Sequence, residues 1–243
     1  MIGFLSTIDN PLLPYHFAAA KCEGVTNICF ILDSKLISEK DRRIWEIRTN
    51  GAFEGPPQDS IPKLHQLGED CPPAYFVDSH NSDSSKKLYK KLGLICLYNA
   101  GCPRKLSKEI INSIPKGVVN VHPGILPEYR GCSCVEWGIY NDDKIGNTAH
   151  FMAEEYDQGA VIKSEWYEFP SNSSYVDIRT RIYRESIVLG AKCLKLIEDG
   201  KLSPADAINQ DETNAKLWYP TPPEIEDAAI RKANRGEYLY QNL

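Results

Sequence analysis

The chain lacks most of the short signatures by which chemistry is read from sequence. No Cys-x-x-Cys pair occurs among its eight cysteines, at positions 22, 29, 71, 96, 102, 132, 134 and 193. Cys132-x-Cys134 is too closely spaced for a zinc knuckle, so no metal site is expected. Cys29 and Cys96 fall in apolar runs, where a free cysteine behaves as a small hydrophobe. Reduced thiols are the expectation, and with them a cytoplasmic location. No apolar run approaches the ~20 residues that span a bilayer. The opening MIGFLSTIDNP has no basic segment ahead of an apolar one, which argues against a secretory signal. Excess positive charge is missing too: 28 Lys and Arg against 33 Asp and Glu give a net charge of -5. A nucleic-acid duplex or a large tRNA calls for a basic face, so nucleic acid is not the expected partner. Neither G-x-G-x-x-G nor G-x-x-x-x-G-K-[ST] occurs, so no dinucleotide fingerprint or P-loop is present.

What is present is ordinary for a globular protein. The 243 residues are 42% hydrophobic and 25% charged, enough for one large domain, or one domain with a small appendage. Short apolar strands are expected at 2–5, 27–32, 74–77, 94–98 and 118–121, and amphipathic helices at 15–22, 38–48, 84–92 and 105–114. The proline- and glycine-rich stretch 51–62 reads as loop. This alternation predicts an α/β fold, a Rossmann-like, mostly parallel sheet with helices on both faces. A strand at 160–169 and a long helix at 174–197, stopped by Gly200, follow. The expected division is a main domain over 1–200 and a short C-terminal appendage over 201–243, where Trp218, Tyr219, Tyr238 and Tyr240 concentrate.

The chain is organised around residues 117–162. Val118, Val119 and Val121 make a short strand that carries Asn120 and ends on His122. A loop rich in proline and glycine follows, through Tyr129-Arg130-Gly131. Polar side chains at the carboxyl edge of a sheet are where α/β folds place their chemistry. A second apolar run, 148–152, holds His150, and Asp157-Gln158-Gly159 turns after it. One amide, two imidazoles and one carboxylate are thus gathered in a compact region.

The ordered set Asn120, His122, Pro123, Leu126, Pro127, Tyr129, Arg130, Gly131, Trp137, His150, Asp157 and Gly159 resembles the folate-dependent formyltransferase family. The likeness covers 93–162 well and 1–200 loosely. It implies a formyltransferase catalytic domain over 1–200 and 10-formyltetrahydrofolate as co-substrate. Asn120 and His122 are the expected hydrogen-bond donors to the developing oxyanion. Asp157 is the expected base for the attacking amine. The loop carrying Tyr98, Ala100, Cys102 and Arg104, with His150 and Tyr156, is expected to hold the folate, largely through backbone groups. His80, Asn81 and Arg130 are the substrate-binding candidates. His16 and His65 are expected to be structural.

Within the family the chain looks most like the nucleotide-sugar N-formyltransferases. Glycinamide-ribonucleotide formyltransferases open with a glycine-rich phosphate loop, and here that loop is Ser6-Thr7-Ile8-Asp9-Asn10-Pro11. Methionyl-tRNA formyltransferases carry a further carboxyl-terminal domain and more basic character. The expected acceptor is a nucleotide-linked amino sugar, a dTDP-4-amino-4,6-dideoxyhexose, used in O-antigen or other surface-polysaccharide synthesis, and the expected assembly is a homodimer. The alternatives are glycinamide-ribonucleotide transfer, a 10-formyltetrahydrofolate hydrolase (whose relatives carry a small domain ahead of the core, not seen before Ile2), and a binding module that has lost transfer.

Overall fold

A computed structural model describes residues 1–51 and 71–242. The expected loop at 51–62 and His65 lie almost wholly outside the described residues. The strands are β1 (Ile2–Thr7), β2 (Ile28–Asp33), β3 (Ala74–Val77), β4 (Cys96–Asn99), β5 (Val118–His122), β6 (Arg130–Gly131), β7 (Gly146–Phe151), β8 (Val161–Trp166) and β9 (Leu217–Trp218). The α-helices are α1 (Leu13–Cys22), α2 (Glu39–Thr49), α3 (Asp83–Lys91), α4 (Lys108–Ser113), α5 (Cys134–Asn141), α6 (Tyr175–Glu198) and α7 (Pro223–Asn234).

Seven strands form one sheet in the order β3-β2-β1-β4-β5-β7-β8. The first five pair in parallel, and β7 and β8 are added antiparallel. This is the Rossmann-like, mostly parallel α/β fold that the alternation of strands and helices predicts. β1 and β2 are buried along their whole length, as strands covered on both faces must be. Phe4, Phe30, Tyr98, Val119 and Phe151 point to one face, against Phe17 of α1 and Leu189, Leu194 and Ile197 of α6. Leu5, Ile31, Leu97 and Val118 point to the other, against Tyr89 of α3 and Ile110 of α4.

Two boundaries differ from expectation in ways that matter. β4 begins later and runs on to Asn99, so Asn99 is a strand residue rather than the first of a loop. α4 is shorter than the expected 105–114, because Ser107 caps it by accepting from the Ile110 N–H, and Lys105 stays outside. α6 opens on a capping box between Ser174 and Asp177, and Gly200, at φ +73°, follows its end.

The segment after Gly200 is laid along the main body. Ala229 and Ala233 of α7, with Tyr238, share a core with Val135 and Ile139 of α5 and Ile178 and Ile182 of α6. β9 pairs with β6, and Trp218 stacks on Tyr129 with centroids 5.1 Å apart and planes at 8°. Trp218, Tyr238 and Tyr240 therefore pack inward, whereas Tyr219 is exposed. α5 carries a buried carboxylate, Glu136, which accepts from Tyr175 Oη and ion-pairs with Arg48 and Arg179, tying α5 to α2 and α6.

Candidate active site

Three neighbouring strands set the site. Tyr98 is in register with Val119, and Asn120 with His150. One step beyond the first pair, Asn99 comes beside Asn120. Because strand side chains alternate, Asn99, Asn120 and His150 share the α3/α4 face. There they form a hydrogen-bonded row: Asn99 Nδ2 donates to Asn120 Oδ1 at 2.8 Å, and Asn120 Nδ2 lies 3.0 Å from His150 Nε2. His150 Nδ1 is 3.0 Å from the Phe151 carbonyl, which can only accept, so Nδ1 carries the proton and Nε2 is the acceptor. The ring is buried, and burial is the main cause that lowers its pKa from 6.5 to about 4; Asp157 offsets part of the effect. The imidazole is neutral at pH 7.

Asp157 reaches this row from the turn after β7, with its own backbone left-handed at φ +55°. Its Oδ2 accepts from the Gly131 N–H at 2.9 Å and lies 3.4 Å from His122 Nδ1, while Oδ1 lies 3.6 Å from His150 Nε2. Gly131 has φ +95°, and a Cβ there would fall 2.2 Å from the Trp218 carbonyl oxygen, so only glycine can bring this N–H to the carboxylate. The turn is also clamped from the C-terminal segment. Gln210 Nε2 donates to the carbonyls of Asp157 and Gly159, each at 2.7 Å. Its Oε1 accepts from Arg130 Nε and Nη2, and Glu212 takes the rest of that guanidinium.

Two cavities meet here. One, of about 610 Å³, is lined by Asn99, Asn120, His150, Asp157, Arg104 and the segment from Met152 to Tyr156. The other, of about 530 Å³, lies beyond the 101–103 turn and is lined by Asn10, Lys35, Arg42, Trp45, Arg48 and Tyr183, among others. Asp41, Cys102 and Pro103 line both. Lys105, in the wall of the first, pairs with Glu155, and Lys108 at the start of α4 pairs with Glu154. Among the described residues, no cluster of His, Cys, Asp or Glu has the geometry to hold a metal ion.

Asn120, His150, Asp157, Cys102, Arg104 and Tyr156 thus line one space. The remaining expected site residues need correction. Tyr98 points into the core, with its hydroxyl 2.9 Å from His16 Nδ1, and cannot touch a ligand in the cavity. Ala100 is buried, and its carbonyl is taken by Ser6 Oγ and Asn10 Nδ2. His80 is wholly buried, with Nε2 against the Ile31 carbonyl and its N–H on Asp33. Asn81 bonds the Lys105 carbonyl and the Ser107 N–H, so it braces a loop. Arg130 is 4% exposed, and Gln210 and Glu212 hold four of its five N–H donors, which turns it from a substrate phosphate to an internal clamp.

Two further residues are qualified. Arg104 lines the cavity, but its guanidinium is held bidentate by buried Asp33, at 2.8 and 3.0 Å. Burial alone would raise the Asp33 carboxyl, yet Arg104 and the N–H groups of Lys35 and His80 outweigh it and hold it below the usual range. His122 stands behind Asp157: its Nε2 donates to the Tyr129 carbonyl at 2.7 Å and its Nδ1 faces the carboxylate. That geometry assigns His122 to Asp157 rather than to a formyl oxygen. Sequence reasoning missed Asn99 and Gln210. Asn99 opens an Asn-Ala-Gly turn and carries only a turn signal; Gln210 carries no signal at all.

Residues 54–187, more than half of the chain, match the family described as formyl transferase. The chain belongs to the formyl transferase family. Methionyl-tRNA formyltransferase of Borrelia turicatae is 32% identical over 126 residues, 51% of this chain and 40% of that protein. The chain therefore spans about two fifths of the length of this curated relative. In fold, it is similar to a sugar N-formyltransferase from a Shewanella species (TM-score 0.63, 14% identity, 96% of this chain and 87% of that one). It is also similar to an N-formyltransferase from Helicobacter canadensis, solved with folinic acid and dTDP-3-aminofucose (TM-score 0.63, 12% identity, 96% of this chain and 80% of that one). Among the described residues, no helix is long and apolar enough to cross a membrane.

Proposed function

We propose that this formyl transferase moves a formyl group from 10-formyltetrahydrofolate to the amine of a nucleotide-linked amino sugar. The observation that carries the reading is a cavity lined by Asn120, His150 and Asp157 that shares the wall of Asp41, Cys102 and Pro103 with a second cavity, as a two-substrate transfer requires. The folate donor occupies the larger cavity, with its formyl group at Asn120. The acceptor enters from the smaller one, where Lys35 offers a cation for a phosphate, beside Arg42 and Arg48 that are paired with Asp9 and Glu136, and Trp45 lines the wall. The Helicobacter neighbour, which holds a folate and a dTDP-amino sugar together, supports this pairing.

The acceptor amine attacks the formyl carbon, and the carbonyl electron pair moves to oxygen, where the Asn120 Nδ2–H stabilises it. Removing one such donor costs a factor on the order of a hundred or more in rate. Asp157 takes the proton from the nitrogen as it gains positive charge, its carboxylate held in place by the Gly131 N–H. The oxygen's electron pair then re-forms the carbonyl, the bond from the formyl carbon to N10 breaks, N10 takes that bond's pair and the proton that Asp157 had accepted, and tetrahydrofolate leaves. Neutral His150 accepts from Asn120 and fixes that amide without adding a charge.

A second reading follows from the sequence relatives, whose acceptor is named as methionyl-tRNA. Against it stands the net charge of -5. The test is formyl transfer from 10-formyltetrahydrofolate, followed by mass spectrometry, with three acceptors in parallel: a dTDP-4-amino-4,6-dideoxyhexose, glycinamide ribonucleotide and methionyl-tRNA. Mass gain on the sugar nucleotide alone is the expected result. Gain on either of the others instead overturns the acceptor, and deformylation of folate with no acceptor gain favours a hydrolase.

A further inference from the structure

We infer that Asn99 is a positioning residue for transfer: together with His150, whose Nδ1 proton is held by the Phe151 carbonyl, it fixes which way the Asn120 amide faces. The inference rests on the proposed role of Asn120, but the geometry stands without it.

Amide oxygen and nitrogen are hard to tell apart by shape, so the direction of each amide must be forced by groups whose role is fixed. Such groups begin the row. Asn99 Oδ1 is 2.7 Å from the Cys102 N–H and 3.2 Å from the Gly101 N–H. Backbone N–H groups only donate, so this atom is the oxygen and the other is Nδ2. Nδ2 faces Asn120 at 2.8 Å, which requires an oxygen there. Asn120 must then turn its own Nδ2 toward His150, where Nε2 lies at 3.0 Å. The row ends on a second fixed group, the Phe151 carbonyl, which takes the Nδ1 proton. Each link is determined from both ends and the two ends agree.

The consequence is a set orientation for the remaining Asn120 N–H, the one free to meet a formyl oxygen in the cavity. It leaves from the His150 side. Reversal of the amide would carry that donor to the Asn99 side and place a carbonyl oxygen beside His150. Asn99 Nδ2 holds the amide on one side and His150 Nε2 on the other, so a change at Asn99 sets the two ends against each other.

The test is Asn99→Asp. A carboxylate keeps an acceptor for the Gly101 and Cys102 N–H groups, so the turn is retained, but it cannot donate to Asn120. Repulsion between the carboxylate and Asn120 Oδ1 should reverse the amide, presenting oxygen to His150 and drawing the proton onto Nε2 at the expense of the Nδ1 bond to the Phe151 carbonyl. We expect the imidazole ¹⁵N spectrum of the free protein to move the proton of His150 onto Nε2. With the acceptor that the transfer assay identifies, kcat should fall on the order of a hundredfold while KM for the folate changes by less than about twofold. An unchanged His150 spectrum overturns the relay, and so does a loss confined to KM. Should the Asp variant not fold, Asn99→Leu, which removes the donor outright, serves in its place: wild-type kcat in it equally overturns the role. If wild-type protein transfers no formyl group to any acceptor, the proposed function fails while the ¹⁵N result still decides the relay.

Discussion

Replacing His150 with Gln should make the protein less sensitive to mild acid. His150 is 1% exposed and its pKa falls from 6.5 to about 4. A group depressed on folding binds its proton more readily in the unfolded chain, so its contribution is complete above pH 6.5 and is lost as pH falls toward 4. Each pH unit in that window is worth about 1.4 kcal/mol, about 3 kcal/mol across the whole of it. At pH 5 the loss from this one ring should be about 2 kcal/mol relative to pH 7. Gln can still accept from Asn120 and does not titrate. Urea unfolding at pH 7 and pH 5, followed by tryptophan fluorescence, gives the comparison. His16, lowered to about 3 by burial, is common to both proteins and cancels. Wild-type protein should lose about 2 kcal/mol more than His150→Gln between the two pH values. Equal losses would refute the reasoning, because they would mean that the buried ring is not what resists protonation.

Three other outcomes follow from the site. Asp157→Asn should abolish formyl transfer and leave folate binding, measured by calorimetry, nearly intact; near-normal turnover removes Asp157 from the mechanism. Asn120→Ala should lower kcat by on the order of a hundredfold, with KM little changed, and a change confined to KM marks a binding residue instead. Gln210→Leu removes two donors from the Asp157 turn and one acceptor from Arg130. At roughly 1 kcal/mol for each of the four bonds lost, it should lower stability by about 4 kcal/mol in urea titrations and cut kcat more than it raises KM.

The parts of this protein that could be read from sequence are those whose cause is local. Strand and helix alternation gave the sheet, because β1 and β2 are apolar along their length and α2, α3 and α6 begin on serine caps. Asn120, His150 and Asp157 could be named because their order and spacing are themselves the signal. Burial decided the rest, and burial is not local. His80 looked like a polar residue in an exposed turn, yet its ring is held between Cys102 and the Ile31 carbonyl and its backbone N–H donates to Asp33. Arg130 looked like a phosphate ligand, and its partners arrive from 80 and 82 positions away. β6 is two residues long and takes its partner from the C-terminal segment, so no periodicity could announce it.

The hold of Gln210 on the Asp157 turn also has a history in time. Gln210 lies 53 positions after the residue whose carbonyl it grips. At ribosomal rates of roughly 5–20 residues per second, that interval is about 3–10 s of synthesis. Throughout it, the growing chain already contains the carboxylate, its two imidazoles and the asparagine, but not the side chain that seats the turn. The left-handed backbone at Asp157 has no Gln210 to hold it until the later segment is made and folds back. Competence for chemistry thus arrives after the sheet, as a closing act of folding.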